Sequence, residues 1–354
     1  MKKVTLLFLV IILGLSMVLA GCGGDSGSEG EPATGGEASA ADDGKEYTIR
    51  AAIMLDTAHP HYIAAETVMK PMIEEGTNGK VKVEIYPNGQ LGSDRQTVEA
   101  CQMGTLEMTL PSTATLSTFD DTFLILDIPY VFTSVEGCRN ALDGKLGEAM
   151  NASLAEKAGM INLGYGESGF RNLSNNIRPV KSPKDLEGLK IRVIENPYHI
   201  ATFKALGANP TPMAFGELFT GLQQKQVDGQ DNGVIITYTN KFYEVQKYYT
   251  VMQHMFNANS YIINKDFMES LPAEYQTVIR DAVKAAVKEQ RRLIDEKEQA
   301  YLDEMKAAAI EVNELTPEEK QLFVNATQSV RDQYVAEYGD KAQELLDLAA
   351  EYQK

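Results

Sequence analysis

The sequence predicts an α/β protein of two lobes, each built on a mixed sheet flanked by helices. Residues 46–110 alternate between strand and helix patterns, and residues 188–232 do so a second time. Residues 272–309 then form one long helical pattern without an internal Pro or Gly. Alternation of this kind is typical of open α/β sheets, and 354 residues are enough for two domains.

The amino terminus has the composition of an export signal. Lys2 and Lys3 precede a charge-free apolar run over residues 4–20, which is short for a membrane span. Small residues directly before Cys22 resemble a bacterial lipobox, which implies a signal peptide of residues 1–21 and lipidation of the Cys22 sulfur. A plain signal peptide followed by an incidental Cys is the alternative. Residues 22–45 are rich in Gly and acidic side chains and lack aromatics, so we expect a flexible tether.

The charge of the chain argues against a nucleic-acid partner. Its formal net charge is −17, and loss of a signal that carries Lys2 and Lys3 would make it more negative. The sequence holds no basic stripe that could neutralise phosphates. Cys101 and Cys138 remain after Cys22, and an exported protein could pair them, but the sequence leaves open whether they meet.

The first block of elements is a β-α-β-α-β succession, the pattern of a doubly wound sheet. Its strands are predicted at residues 47–55, 80–86 and 106–110, its helices at about 60–75 and 93–103, and two more helices near 134–141 and 146–158. Val81, Val83 and Ile85 alternate with charged residues and therefore share one strand face. Ser93 can cap the second helix.

The second block opens with a short strand. Leu189, Ile191 and Val193 share its apolar face, which directs Arg192 to the other face. An Arg on a strand is usually solvated or salt-bridged, so a role for Arg192 depends on the residues around it.

The rest of the second block is predicted as helix, turn, helix and strand. Asn196 can cap a helix that has Pro197 at its first position. Thr211 lies in a Pro-x-Pro turn, because proline disfavours helix on its N-terminal side. A second helix over about 216–225 leads to a strand that begins at Val227.

The remaining elements connect and cover these two blocks. Residues 160–175 are predicted as an extended segment that crosses between lobes near Gly169, and the chain recrosses near 255–260. After the long helix, residues 310–315 predict a short strand. Thr316 and Pro317 then begin a terminal helix pair, as cap and first helical residue.

The sequence lacks the motifs of a catalytic or metal site. Its histidines have no zinc-type spacing; they are His59, His61, His199 and His254. The Gly-x-Ser segment at Gly166 is not a nucleophile elbow, because Phe170 replaces the last Gly. We therefore predict no enzymatic activity, no metal and no cofactor.

Seven motifs follow one another along the chain. They are YPNGQLGSDR (86–95), LDIPYVF (126–132), GFRNLSN (169–175), GLKIRV (188–193), GANPTPMAFGEL (207–218), VDGQDN (227–232) and KFYEVQKY (241–248). In this order they resemble the solute-binding proteins of TRAP (tripartite ATP-independent periplasmic) transporters, of the C4-dicarboxylate- and sialic-acid-binding type (DctP family). The resemblance covers nearly all of residues 46–354, and an ordered series is far more specific than any single motif.

The resemblance implies a fold like that of periplasmic binding proteins, with hinge crossings and a long helix that spans both lobes. We expect lobe I at residues 46–168 plus about 258–297, and lobe II at 169–257 plus about 298–354. It also implies an extracytoplasmic monomer that captures a small organic acid and delivers it to TRAP permease subunits, with membrane contact only through the lipid anchor. A binding protein of an ABC transporter or sensor is the alternative, and an exported hydrolase is a more distant one.

The resemblance further implies a carboxylate site at the strand ends of the second block, where open α/β sheets bind ligands. Arg192 of KIRV corresponds to the clamp on the ligand carboxylate, and Arg171 of GFRN to a supporting polar contact. Asn232, which ends VDGQDN, corresponds to a residue that reaches the clamp or the carboxylate. Phe215 corresponds to a residue that packs on the ligand body. The rigid fork of Arg suits this task, since it matches a carboxylate with two parallel hydrogen bonds.

Other candidates lie around this centre. Asp94 and Arg95 match a polar pair that lines the other lobe. Glu195 stands where the sialic-acid branch has Asn, and an acid there repels a carboxylate unless it points away or meets a ligand ammonium or hydroxyl. This departure argues against sialic acid as the ligand. Tyr165, Glu167 and His59 could also line the cleft.

Overall fold

The computed structural model describes residues 44–353, so the predicted lipobox at Cys22 lies outside the described residues. The strands are β1 (Tyr47–Ala52), β2 (Val81–Tyr86), β3 (Met108–Thr109), β4 (Met160–Phe170), β5 (Asn172–Asn175), β6 (Lys190–Val193), β7 (Asn209–Pro212), β8 (Gly229–Asn232), β9 (Tyr248–Val251), β10 (Phe256–Asn264) and β11 (Glu311–Glu314). They form two sheets.

The helices cover both sheets. They are α1 (Pro60–Ala64), α2 (Lys70–Gly76), α3 (Asp94–Gln102), α4 (Thr113–Leu116), α5 (Val135–Asp143), α6 (Lys145–Ala158), α7 (Pro197–Ala205), α8 (Leu218–Gln223), α9 (Val234–Thr239), α10 (Lys265–Ser270), α11 (Ala273–Ala307) and α12 (Pro317–Ala350). A π-helical segment, Ala65–Met69, joins α1 to α2. In the described part of the chain, no helix is both long enough and apolar enough to cross a membrane.

The first sheet has the strand order β2-β1-β3-β10-β4. β1 pairs in parallel with β2 and β3, as the β-α-β-α-β prediction requires, and β10 is antiparallel to β3 and β4. Val81 and Val83 are buried, whereas Lys82 and Glu84 between and after them are exposed. The predicted alternation on this strand is therefore confirmed.

The second sheet has the strand order β11-β9-β5-β8-β6-β7, and it shows that the predicted Pro-x-Pro turn is wrong. Residues 209–212 form β7, which pairs in parallel with β6 at the edge of the sheet. The N–H of Asn209 donates to the carbonyl of Leu189, just before β6, at 2.8 Å, and the N–H of Met213 donates to the Val193 carbonyl at 3.2 Å. Pro210 and Pro212 take the alternate positions, where an edge strand needs no N–H.

The chain passes between the two sheets at the end of β4 and again between β9 and β10. Gly169 lies just before the first passage with φ of +77°, a left-handed conformation that glycine adopts without strain. An added Cβ would also lie 3.3 Å from Glu298 Oε1 of α11. The first passage therefore favours glycine for its conformation, and any larger residue would also require a small shift of the Glu298 side chain.

The long helix α11 contacts the cores of both sheets, which confirms the prediction for residues 272–309. Ile279 and Val283 pack in the core beside the first sheet. Leu302 and Met305 pack with Tyr249 of the second sheet. One apolar stripe along the 35 residues of α11 therefore packs beside both sheets.

The terminal helices and the cysteines resolve two further expectations. Thr316 and Glu319 form a capping box at the start of α12, and Gly339 interrupts this helix, so the predicted helix pair is confirmed. Cys101 and Cys138 are both buried and free. The possibility that these cysteines form a disulfide is therefore not realised.

Candidate functional site

One cleft, lined by residues from the segments around both sheets, contains most of the predicted site residues. Its empty space, including the open mouth, is about 850 Å³. Seven predicted site residues line it: Asp94, Arg95, Arg171, Arg192, Glu195, Phe215 and Asn232. The cleft therefore brings Arg171 and Arg192, which belong to separate motifs, to one place.

Arg192 projects from β6 into this cleft. Ile191 and Val193 face the apolar core, so the intervening side chain points the other way, yet it is only 2% exposed. Arg192 Nε donates to the Met213 carbonyl at 2.9 Å, and Nη1 is buried without a partner among residues 44–353. The guanidinium carbon lies 6.0 Å from the centroid of the Phe215 ring, a cation–π distance.

The electrostatic setting of Arg192 favours an anion. Burial lowers the pKa of Arg192 to about 10, and the positive charge of Arg171 adds to this shift. The guanidinium still carries its charge at neutral pH, since this value lies well above 7. A buried charged donor without an acceptor is costly, so an anion that accepts from Nη1 removes that cost.

Arg171 lies at the passage between the sheets and is held by Asp231 of β8. Its Nε donates to Asp231 Oδ2 at 2.6 Å, and its Nη2 donates to the Asp231 carbonyl. His254 Nε2 lies 3.1 Å from the same Oδ2. Burial by itself would raise the pKa of Asp231, but the charge of Arg171 and the two hydrogen bonds hold it well below its usual range. Arg171 Nη1 remains buried and unpartnered within the described chain.

Asn232 is positioned by its neighbours on the sheet. β8 lies beside β6 in parallel register, with Arg192 opposite Gln230. Residues two apart on a strand share a face, and Asn232 Nδ2 donates to Gln230 Oε1 at 2.6 Å. Gln230 donates in turn to Ser174 Oγ at 2.9 Å, which fixes the orientation of the Asn232 amide.

The opposite wall begins with the first turn of α3. Asp94 Oδ2 accepts from the main-chain N–H of Ser112 at 3.4 Å. Burial raises the pKa of Asp94 to about 6, although the Ser112 N–H and the charge of Arg192 oppose this shift. Arg95 is largely exposed, and its Nε donates to Glu99 at 3.0 Å.

The wall also includes polar residues that the sequence did not indicate as ligand contacts, among them Ser112, Asn257 and Asn259. Ser112 Oγ donates to Asn257 Oδ1 at 3.1 Å, and Ser168 Oγ donates to Asn259 Oδ1 at 2.7 Å. A signal was present, because Asn257 and Asn259 stand two residues apart in an otherwise largely apolar strand and therefore share a face.

Tyr165 and His59 do not line the cleft, contrary to expectation. The Tyr165 hydroxyl donates to Asn151 Oδ1 at 2.7 Å. His59 is fully buried; its Nδ1 accepts from the His61 N–H at 3.1 Å at the start of α1, and its other ring nitrogen lies 3.2 Å from Ser168 Oγ. Burial lowers the pKa of His59 to about 3. Both side chains are therefore used inside the protein. Glu167 does not line the cleft either, since it is buried and accepts from Arg139 Nε at 2.9 Å.

Glu195 and Asn196 are adjacent but have different surroundings. Glu195 is exposed and lines the cleft. Asn196 is buried, where its Oδ1 accepts from the Tyr198 N–H at 2.9 Å as the cap of α7, and its Nδ2 donates to Asp127 at 2.7 Å. The predicted cap at Asn196 is confirmed, and Glu195 is the residue of the two that a ligand can meet.

Comparison with known proteins is consistent with this geometry. The chain is 34% identical over 293 residues to the 2,3-diketo-L-gulonate-binding periplasmic protein YiaO of Escherichia coli, covering 82% of this chain and 88% of the relative. It matches the sugar acid binding protein DctPAm of Advenella mimigardefordensis, solved with galactonate, with a TM-score of 0.83 and 31% identity over 87% of this chain and 99% of that one.

A second solved structure is a TRAP periplasmic solute binding protein of a Sulfitobacter species with bound β-D-galacturonate. Its TM-score is 0.82 and its identity 28%, with 86% of this chain and 99% of that one covered. These matches confirm the predicted two-lobed α/β fold. Residues 52–337 match the profile of bacterial extracellular solute-binding protein, family 7 (DctP). Since this match spans most of the sequence, the chain belongs to the DctP family of bacterial extracellular solute-binding proteins.

Proposed function

We propose that the cleft captures the carboxylate of a small organic acid outside the cytoplasm, and that the protein delivers this acid to a TRAP-type secondary transporter. The observation that carries the proposal is the pair of buried guanidinium nitrogens, Nη1 of Arg192 and Nη1 of Arg171, which have no partner among residues 44–353. Both arginines line the same cleft. A carboxylate can accept charge-assisted hydrogen bonds from these two nitrogens. Such a site serves to bind the acid, and no chemical change of the ligand is needed.

The rest of the cleft suits an acid that also carries hydroxyl groups. Asn257, Asn259 and Ser112 offer neutral donors and acceptors opposite the arginines. Apolar side chains such as Met54 and Phe215 complete the wall and can pack on a carbon chain. The relatives named above bind or were solved with hydroxylated acids, namely diketogulonate, galactonate and galacturonate. A sugar acid is therefore the ligand class we propose.

The proposal is tested by thermal unfolding of the purified protein with a library of carboxylates. A ligand at 100 times its Kd stabilises the folded state by about 2.7 kcal/mol, which raises the melting temperature measurably. Each acid is paired with its uncharged sugar or alcohol, for example D-galactonate with D-galactose. We expect shifts with acids only. Equal shifts with the uncharged partners, or no shift with any acid, would contradict the carboxylate site.

Transport assays separate the TRAP reading from the alternative of an ABC transporter. The protein is combined with its permease in vesicles, and uptake of the bound acid is measured. Uptake that follows an imposed sodium gradient supports a secondary transporter. Uptake that requires ATP and ignores the gradient would support the ABC alternative.

We further propose that the two lobes rotate together around the crossings when the acid binds. The lobes comprise residues 46–168 with about 258–297, and 169–257 with about 298–354, and each contributes to the cleft wall. Ligand contacts that are complete only in a closed form shift the population toward it. We expect a smaller radius of gyration by small-angle X-ray scattering with saturating acid. Arg192→Ala at the same acid concentration is the control, and identical wild-type curves with and without acid would contradict closure.

We also propose that the mature protein is a monomer tethered to the cell membrane by lipid on Cys22, either in the periplasm or on the outer face of the cell. The support is the sequence before Cys22 and the Gly-rich segment after it. We expect Cys22→Ser to abolish labelling by a fatty-acid probe, with Cys101→Ser as the control that keeps it, since Cys101 is buried in the folded domain. Unchanged labelling of the Cys22 variant would disprove the anchor.

A further inference from the structure

The cleft wall carries charged side chains of both signs, and they differ in whether they have ion-pair partners. Among residues 44–353 the positive side chains of the wall are Arg95, Arg171 and Arg192, and the negative ones are Asp94 and Glu195. We propose that the cleft selects acids with a single carboxylate and rejects dicarboxylates, because Asp94 and Glu195 repel a second carboxylate. This inference rests on the proposed function and assigns its substrate class more narrowly.

Two of the three arginines already have acidic partners. Arg171 is paired with Asp231 at 2.6 Å, and this pair is fully buried. Arg95 is paired with Glu99 at 3.0 Å, with 61% of its side chain exposed to solvent. Arg192 belongs to no ion pair in the described part of the chain, and its Nη1 is unpartnered. One ligand carboxylate therefore neutralises the single arginine that lacks a counter-charge.

The two acids of the wall have no ion-pair partner in the described residues either. Asp94 accepts only the weak 3.4 Å hydrogen bond from Ser112 that was described above, and neither Asp94 nor Glu195 belongs to an ion pair in residues 44–353. Both lie near enough to Arg192 for their charges to raise its pKa, against the larger lowering by burial. Asp94, Glu195 and Arg192 line the same cleft, so the two acids border the space that a ligand bound to Arg192 fills.

A second carboxylate on the ligand would enter this field of like charge. The juxtaposition of like charges at an interface costs several kcal/mol, and this cost is largest where water is excluded. A hydroxyl group at the same place donates a hydrogen bond to either acid instead. Solvent screens the exposed Glu195 more than the half-buried Asp94, so we expect Asp94 to contribute the larger share.

Acids that differ only at the far end provide the test. Binding to the wild-type protein is measured by calorimetry at pH 8, where Asp94 is ionised, for D-galactonate against galactarate, D-gluconate against D-glucarate, and 4-hydroxybutyrate against succinate. Each dicarboxylate replaces a terminal CH₂OH by a carboxylate. We expect the monocarboxylate of each pair to bind at least about tenfold more tightly, a difference of about 1.4 kcal/mol.

Variants assign the discrimination to the two acids. Asp94→Asn and Glu195→Gln should each reduce the ratio of the two Kd values, and the double variant should reduce it most. Glu217→Gln is the matched control. This exposed acid lies two residues after Phe215 of the cleft wall but does not itself line the cleft. It should leave the ratio unchanged, although it alters the net charge by the same amount.

The outcomes separate this inference from the proposed function. A dicarboxylate that binds the wild type as tightly as its monocarboxylate overturns the inference and leaves the carboxylate site intact. A ratio that Asp94→Asn and Glu195→Gln change no more than Glu217→Gln also overturns it. If none of the acids binds, the carboxylate site itself is wrong, and the inference is disproved with it.

Discussion

Arg192→Ala is expected to weaken binding of the acid by about 30-fold to several thousand-fold. Removal of one partner of a buried charged pair typically costs about 2–5 kcal/mol, partly because the remaining charge stays buried and unpaired. Here the guanidinium is almost fully buried and held in place by the Met213 carbonyl. Calorimetric titration of the best acid from the thermal screen measures the loss.

Arg192→Lys separates the charge from the shape of the clamp. Lys keeps the charge but has no planar fork, so we expect binding to remain clearly weaker than in the wild type. Circular dichroism shows whether each variant keeps its fold. If Arg192→Ala binds the acid within threefold of the wild type, the carboxylate is held elsewhere in the cleft.

Asp231→Asn is expected to reduce the free energy of unfolding by about 3–5 kcal/mol. The substitution leaves the Arg171 guanidinium buried without a counter-charge, and loss of one partner is the most damaging change to a buried pair. His254 also loses its ionised acceptor. Urea denaturation followed by circular dichroism measures the difference, and the wild type is compared at the same pH.

An exposed pair on α11 provides the matched control for this prediction. Glu289 accepts from Arg292 at 2.6 Å at the protein surface, so Glu289→Gln should cost at most about 1 kcal/mol. Combining Arg171→Gln with Asp231→Asn removes both buried charges and should restore part of the lost stability. Equal destabilisation by Asp231→Asn and Glu289→Gln would show that the buried pair contributes nothing beyond a surface pair.

The sequence predicted that Arg171 belongs to the site, but it did not predict the ion-pair partner of Arg171. Its motif indicated a polar contact in the site, and the cleft does include it. The partner is Asp231, which directly precedes Asn232, and nothing in the local sequence marks it as the partner of Arg171. Sequence separation of 60 residues hides this pairing, because it exists only when β8 is packed beside the passage between the sheets.

Local sequence patterns determined the secondary structure of this protein wherever one apolar face or one cap dominated. The alternation in β2 and β6, the cap at Asn196, the capping box at Thr316 and the length of α11 were all predictable. Each depends on residues within a few positions of one another. The orientation of Arg192 followed from the same local rule.

Only the tertiary structure decided which polar residues face the cleft. Tyr165, His59, Asn257 and Asn259 all carry polar groups that are hydrogen-bonded to other elements, yet only the two asparagines lie on the cleft wall. The same holds for β7, which is a strand because β6 provides carbonyls along its edge. Burial and pairing between distant segments depend on how whole sheets pack, and a sequence by itself determines only the local preferences that make such packing possible.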